Sequence, residues 1–99
     1  MSRHFTTPIK ESTLAASCWD YAEFNMSDWL DDDEREVTVY MDYLAADHDD
    51  CLPIITVIGA VAHADYGLAE MFTRDEFAAL IGKKFVEMIE YAKAEECAA

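Results

Sequence analysis

Apolar residues recur along most of the chain at spacings that favour helices. Thr7 followed by Pro8 fits an N-cap and first helical position. The run from Pro8 to about Glu23 places Ile9, Leu14, Cys18, Tyr21 and Ala22 near one helix face. Residues 1–7, "MSRHFTT", are expected to be flexible. Ser27 offers the next N-cap. On a helical wheel Leu30, Val37, Met41 and Leu44 then fall within about 60° of one another, flanked by Trp29 and Tyr40. Two features of this stretch pull the other way. "EVTVYM" alternates and is β-branched, which suits a strand over residues 37–42. Asp33 and Glu36 also fit a capping box, which would start the helix six residues later.

"DDCLPIITVIGAVAHADYG" reads both ways. Asp50 and Pro53 suit a helix start and the alanines a helix interior, yet "IITVIGAV" equally suits a buried strand, leaving residues 52–62 open. The last segment is clearer. Thr73 and Glu76 form the capping box "TRDE", and Phe77, Leu80, Ile81, Phe85, Met88, Ile89 and Ala92 make an apolar stripe to about residue 95. These patterns predict an all-α bundle of about four helices, one domain over residues 1–99, with a small α+β fold as the alternative.

Length and composition agree with a single core: the chain has 99 residues, 53% of them hydrophobic. Charge changes the picture more. The formal net charge is −14, from 21 acids against 7 Lys and Arg. Direct binding to nucleic acid or to an anionic membrane is excluded, because phosphates must be met by cations. The acidity is also local. Residues 20–50 hold twelve acids and one cation, Arg35, whereas residues 1–19 hold Arg3, Lys10 and Glu11. Cys18, Cys51 and Cys97 are odd in number and widely spaced, which fits a reduced, cytoplasmic setting. No basic segment followed by an apolar run opens the chain, and "LPIITVIGAVAHA" is too short to cross a bilayer.

If residues 28–50 formed one helix it would be about 34 Å long. Asp28, Asp31, Asp32, Asp42, Asp49 and Asp50 would lie opposite the apolar stripe, with Asp33, Glu34, Glu36 and Asp47 along its edges. One strand of B-DNA carries about ten phosphates over that length, so these ten carboxylates match its line density. Cations for i,i+4 pairing are almost absent, unlike a face serving solubility alone. The bland alternative is a solvated face, with Asp28 favoured by a helix N-terminus.

In size, charge and layout, without a diagnostic motif, the chain resembles the small acidic DNA-mimic inhibitors of host defence, the anti-CRISPR and anti-restriction type used by phages. The resemblance implies a non-enzymatic inhibitor whose carboxylates occupy the nucleic-acid-binding site of a basic protein or ribonucleoprotein, a CRISPR–Cas surveillance complex first among them. It implies no particular fold. Tyr43 joins the ten acids as a candidate contact, because aromatics among carboxylates suit Arg and Lys. Tyr43 and Trp19 are also the aromatics expected to be exposed.

Other chemistry finds less support. Counting an EF-hand from Asp31 puts Glu36 at position 6 and Asp42 at position 12, so the pattern fails. His48, Cys51 and His63, with Cys18, would make a zinc site only if the fold brought them together. No phosphate-binding glycine loop, GxSxG or HExxH is present, and neither catalytic residues nor a cofactor are expected. The second functional class is a helical adaptor or oligomer subunit that meets its partner through an apolar patch on the segment from Thr73 to Glu96.

Overall fold

The computed structural model describes residues 11–46, 51–63 and 69–98. In chain order the elements are α1 (Glu11–Ser17), β1 (Asp20–Asn25), a 3₁₀ turn (Met26–Asp28), β2 (Glu36–Leu44), β3 (Ile54–His63), β4 (Ala69–Phe72), α2 (Arg74–Ile81) and α3 (Lys83–Ala98). The strands form one antiparallel sheet in the order β1-β2-β3-β4. The fold is therefore α+β, which corrects the all-α bundle expected from the sequence.

The correction has a physical cause at each element. Residues 36–44 form a strand because Val37, Thr38 and Val39 are β-branched and Tyr40 is aromatic, a run that packs well on a pleated surface. A helix over residues 28–50 would have stacked like charges at i,i+3 and i,i+4 with almost no cations to offset them. In the strand, Val37, Val39 and Met41 point to one face and are buried. Of residues 8–23, expected as one helix, 11–17 form α1 and 20–23 belong to strand β1, while residues 1–10, with the expected flexible start and the Thr7–Pro8 cap, lie outside the described residues. Among the residues of α1 whose burial is described, Leu14 is the buried one. Of the open segment 52–62, residues 54–62 belong to strand β3.

Its mixed periodicity comes from a bulge. Tyr40 pairs with Gly59 but Met41 pairs with Val57, so Ile58 is an extra residue in β3. The bulge switches the phase of alternation. Ile55 and Val57 before it, and Ala60 and Ala62 after it, all face the same core. No single period of 2 runs through the segment, which is why the pattern resembled a helix.

That core lies between the sheet and the helices α2 and α3, where Met26, Val37, Val39, Met41, Val57, Phe77 and Val86 are within 1% of fully buried. A smaller cluster on the opposite face joins Leu14 of α1 to Tyr40 and Val61. Beside the bulge, the backbone N–H of Val57 donates to Glu90 Oε2 at 2.7 Å. The same carboxylate takes two bonds from the Arg74 guanidinium, both at 2.9 Å, so one acid ties β3, α2 and α3 together. Arg74 is held more firmly protonated by Glu90.

The capping box is present: Thr73 accepts from the Glu76 N–H and Glu76 accepts from the Thr73 N–H. The stripe that follows is not one helix, however. Gly82 has φ 108°, in the left-handed region that favours glycine, and its N–H closes on the Ala78 carbonyl. The helix turns there and restarts as α3.

Candidate functional site

Residues 26–35 connect β1 to β2 and carry most of the acids that the structure describes between residues 27 and 50. The connection is fastened from below. Met26 is fully buried, and its carbonyl accepts the N–H groups of Trp29 and Leu30 at 3.0 and 2.8 Å. Its own N–H reaches the Arg35 carbonyl at 2.8 Å. Asn25 caps the 3₁₀ turn by accepting from the Ser27 N–H, and it donates to the Glu34 carbonyl. Trp29 lies beneath, with its ring centroid 5.3 Å from Phe24 and 5.9 Å, edge on, from Phe77.

With its apolar residues facing down, the connection turns its acids outward. Asp28, Asp31, Asp32, Glu34 and the adjoining Glu36 are exposed. Asp33 is the exception. Its carboxylate takes three bonds from the Arg35 guanidinium at 2.8 to 3.2 Å and accepts the Arg35 backbone N–H as well. Hydrogen bonding to Arg35 lowers the Asp33 pKa, while its burial raises it less. Arg35 also bonds Glu70 of β4 at 2.9 Å. The cation of this region is thus consumed internally, and Asp33 serves the loop's structure.

The expected acidic ridge is not continuous. Asp42 lies six steps along the strand from Glu36, about 20 Å at about 3.4 Å per residue, and the loop acids lie at one end of β2. Asp42 is exposed near the other end, accepting the Tyr43 N–H at 3.0 Å. Asp47, Asp49 and Asp50 lie outside the described residues. Tyr43 and Trp19 are both exposed, at 42% and 43%, with rings 5.0 Å apart. Lys93 of α3 sits 5.8 Å from the Trp19 centroid and pairs with Asp20 at 2.8 Å and Glu96 at 3.3 Å. That environment lowers the Asp20 pKa, chiefly through the bond from Lys93.

The cysteines and histidine considered for zinc do not meet. Cys18 Sγ donates to the Ala15 carbonyl at 3.3 Å, Cys51 is exposed, and His63 Nε2 lies 3.1 Å from Thr38 Oγ1. His48 lies outside the described residues. Among the described residues no group of three or more His, Cys, Asp or Glu side chains is placed to hold a metal ion. Among them, too, no helix is long and apolar enough to cross a membrane.

The structure shows a second surface, and of the acids and Tyr43 expected as contacts only Asp28 belongs to it. Between β1 and α3 runs a groove of about 520 Å³, lined chiefly by Phe24, Trp29, Phe85, Met88, Ile89 and Ala92. Phe85 and Met88 are 41% and 57% exposed there. The signal was present in the stripe itself. Val86 and Ile89 already serve the core, so Phe85, Met88 and Ala92 widen the apolar arc beyond what the core covers. Asp28 and Glu96 stand at its margins. No known family model, curated protein or solved structure matches the chain.

Proposed function

We propose that the chain is a non-enzymatic inhibitor that presents its acidic loop to the nucleic-acid-binding site of a basic protein or ribonucleoprotein. A CRISPR–Cas surveillance complex in a bacterial cytoplasm is the first target to test, on the strength of the resemblance to DNA-mimic inhibitors. One observation carries the reading. Asp28, Asp31, Asp32, Glu34 and Glu36 are exposed on a connection fastened by Met26, Asn25 and Trp29, while Arg35 is already engaged by Asp33 and Glu70. Uncompensated carboxylates on a fixed backbone are arranged in advance for Arg and Lys, which lowers the ordering cost of binding. Their field steers a basic partner, and occupancy rather than chemistry excludes the nucleic acid. Asp42, about 20 Å away along β2, makes a separate contact at most.

The test is displacement of duplex DNA from a purified surveillance complex at increasing salt. The wild-type chain is expected to displace DNA at low salt and to lose potency steeply as salt rises. Combined Asp31→Lys, Asp32→Lys and Glu34→Lys substitutions are expected to weaken displacement about a hundredfold or more. Undiminished displacement by that variant overturns the proposal.

A second reading, an adaptor or oligomer subunit binding a protein through an apolar patch, is favoured by the uncovered residues Phe85, Met88 and Ala92 beside β1. Under it, Met88→Asp abolishes partner binding and the loop reversals leave it intact.

A further inference from the structure

β1 is an edge strand: among the described residues its one neighbour is β2. The ladder fixes which of its backbone groups face outward. Met26 N–H donates to the Arg35 carbonyl, and Phe24 pairs with Val37 and Ala22 with Val39 in the same register. In an antiparallel pair the bonded positions alternate. Ala22 and Phe24 therefore bond inward to β2, while Tyr21 and Glu23 turn their N–H and carbonyl groups away from it. The Tyr21 N–H is taken by the Asp20 carboxylate at 2.8 Å, a local blunting of the edge. Among the described residues no such local bond takes the Glu23 N–H, in the middle of the strand.

Side chains alternate in step with the backbone. Ala22 and Phe24 face the helices and line the groove against α3. Tyr21 and Glu23 pair with Tyr40 and Thr38 on the other face and are exposed, and Glu23, at the strand's open edge, also borders the groove. A strand added beside β1 would thus put every second residue into an apolar channel closed by Met88 and Phe85. The residues between would lie beside the Glu23 carboxylate and the Tyr21 ring, where a cation is favoured. Asp28 and Glu96 extend the negative margin, and Lys93, the cation lining the channel, is engaged by Asp20 and Glu96.

We propose that the edge of β1, with the groove between β1 and α3, captures an extended segment of a partner protein in which apolar residues alternate with Lys or Arg, adding it to the sheet as a further strand. The inference rests on the second reading of function above. It owes nothing to the acidic loop beyond Asp28.

The probe is a soluble peptide of alternating Lys and Val, with polylysine of equal charge as control. Hydrogen exchange of the Glu23 amide is followed by NMR in the wild-type chain, and affinity through Trp29 emission in a Trp19→Phe background. The alternating peptide is expected to slow exchange at Glu23 and to shift Trp29. Met88→Asp, at an exposed position, is expected to weaken its binding about tenfold or more. Glu23→Pro removes the outward N–H at an edge position that tolerates proline and is expected to do the same, with circular dichroism reporting its fold. Equal binding of polylysine, unaffected by Met88→Asp, overturns the proposal in favour of charge alone. Loss of binding in Met88→Asp with Glu23 exchange unchanged overturns strand addition and leaves the apolar-patch reading standing. A wild-type dimer that already protects Glu23 and dissolves in Met88→Asp overturns it as well, because the occupant is then a second copy.

Discussion

At the scale of single residues, Gly59 shows how closely the two faces of the sheet are packed. It pairs with Tyr40 beside the bulge and faces α1. A Cβ added there would sit 3.0 and 3.1 Å from the two Leu14 methyls and 3.1 Å from the Phe72 carbonyl oxygen. The methyls can shift, but the carbonyl belongs to the backbone of β4. Gly59→Ala is therefore expected to cost about 1–3 kcal/mol, the usual range for overpacking. Leu14→Ala should cost about 2–5 kcal/mol by itself. Combined, the two should cost about 0.5 kcal/mol or more less than their sum, because the shortened side chain gives way. Urea denaturation of the four proteins measures this. Strict additivity would mean that the Phe72 carbonyl, and not Leu14, sets the limit at Gly59.

At the scale of elements, what was legible in the sequence depended on whether one local signal stood alone. Thr73 and Glu76 met no competing pattern, and their capping box opens α2 where the spacing predicted it. Over residues 28–50 two signals competed. The 3.6-residue spacing of Leu30, Val37, Met41 and Leu44 arose by coincidence, since Val37 and Met41 share a strand face while Leu44 is 62% exposed. The β-branched run 37–39 carried the truer information, and the charge density should have weighted it further. Residues 52–62 hid a strand behind a bulge that no period describes. Of the candidate site, the exposed loop acids and Tyr43 were legible as charge and ring. Asp33 was not, because its bond to Arg35 needs the turn to exist first. The groove was legible in half: a helix can display excess apolar width, but that β1 lies alongside is a tertiary fact.

The break between α2 and α3 is testable at this scale. Gly82 holds φ 108°, and a Cβ there would approach no atom nearer than 3.5 Å. Strain in the backbone, not collision, is what a substitution would cost. Gly82→Ala is expected to destabilise by about 1–2 kcal/mol. A loss of that size in thermal or urea unfolding, with α-helical circular dichroism unchanged, supports a fixed turn. A stabilised protein with more helix would mean that α2 and α3 merge.

At the scale of the whole molecule the question is how a chain with net charge −14 remains folded. Two electrostatic effects oppose each other. The bonds that Arg35 gives Asp33 and that Lys93 gives Asp20 lower the pKa of both acids. A lowered native pKa stabilises the fold above the ordinary carboxylate range, and this contribution is lost as pH falls below about 4. Against it stands repulsion among the exposed acids of the loop, about 0.5 kcal/mol for each pair about 8 Å apart in water. The Asp33–Arg35 pair has side chains 18% and 30% exposed, so its worth is discounted to about 1 kcal/mol. Three or more such pairs would outweigh it, and salt screens the exposed charges more than the partly buried pair. Raising salt at neutral pH is therefore expected to move the urea midpoint upward. Asp33→Asn should lower stability by about 1 kcal/mol at neutral pH, and its gap from wild type should close as pH falls below about 4. Measuring both proteins across pH and salt separates the effects. A midpoint that falls with salt would mean that the ion pairs dominate. A gap that persists in acid would mean that Asp33 works through packing and not through charge. If both expectations hold, the Asp33–Arg35 pair is one of the contacts that hold the loop against the repulsion of the carboxylates it displays. A basic partner that meets those carboxylates would then relieve a strain that the free protein carries.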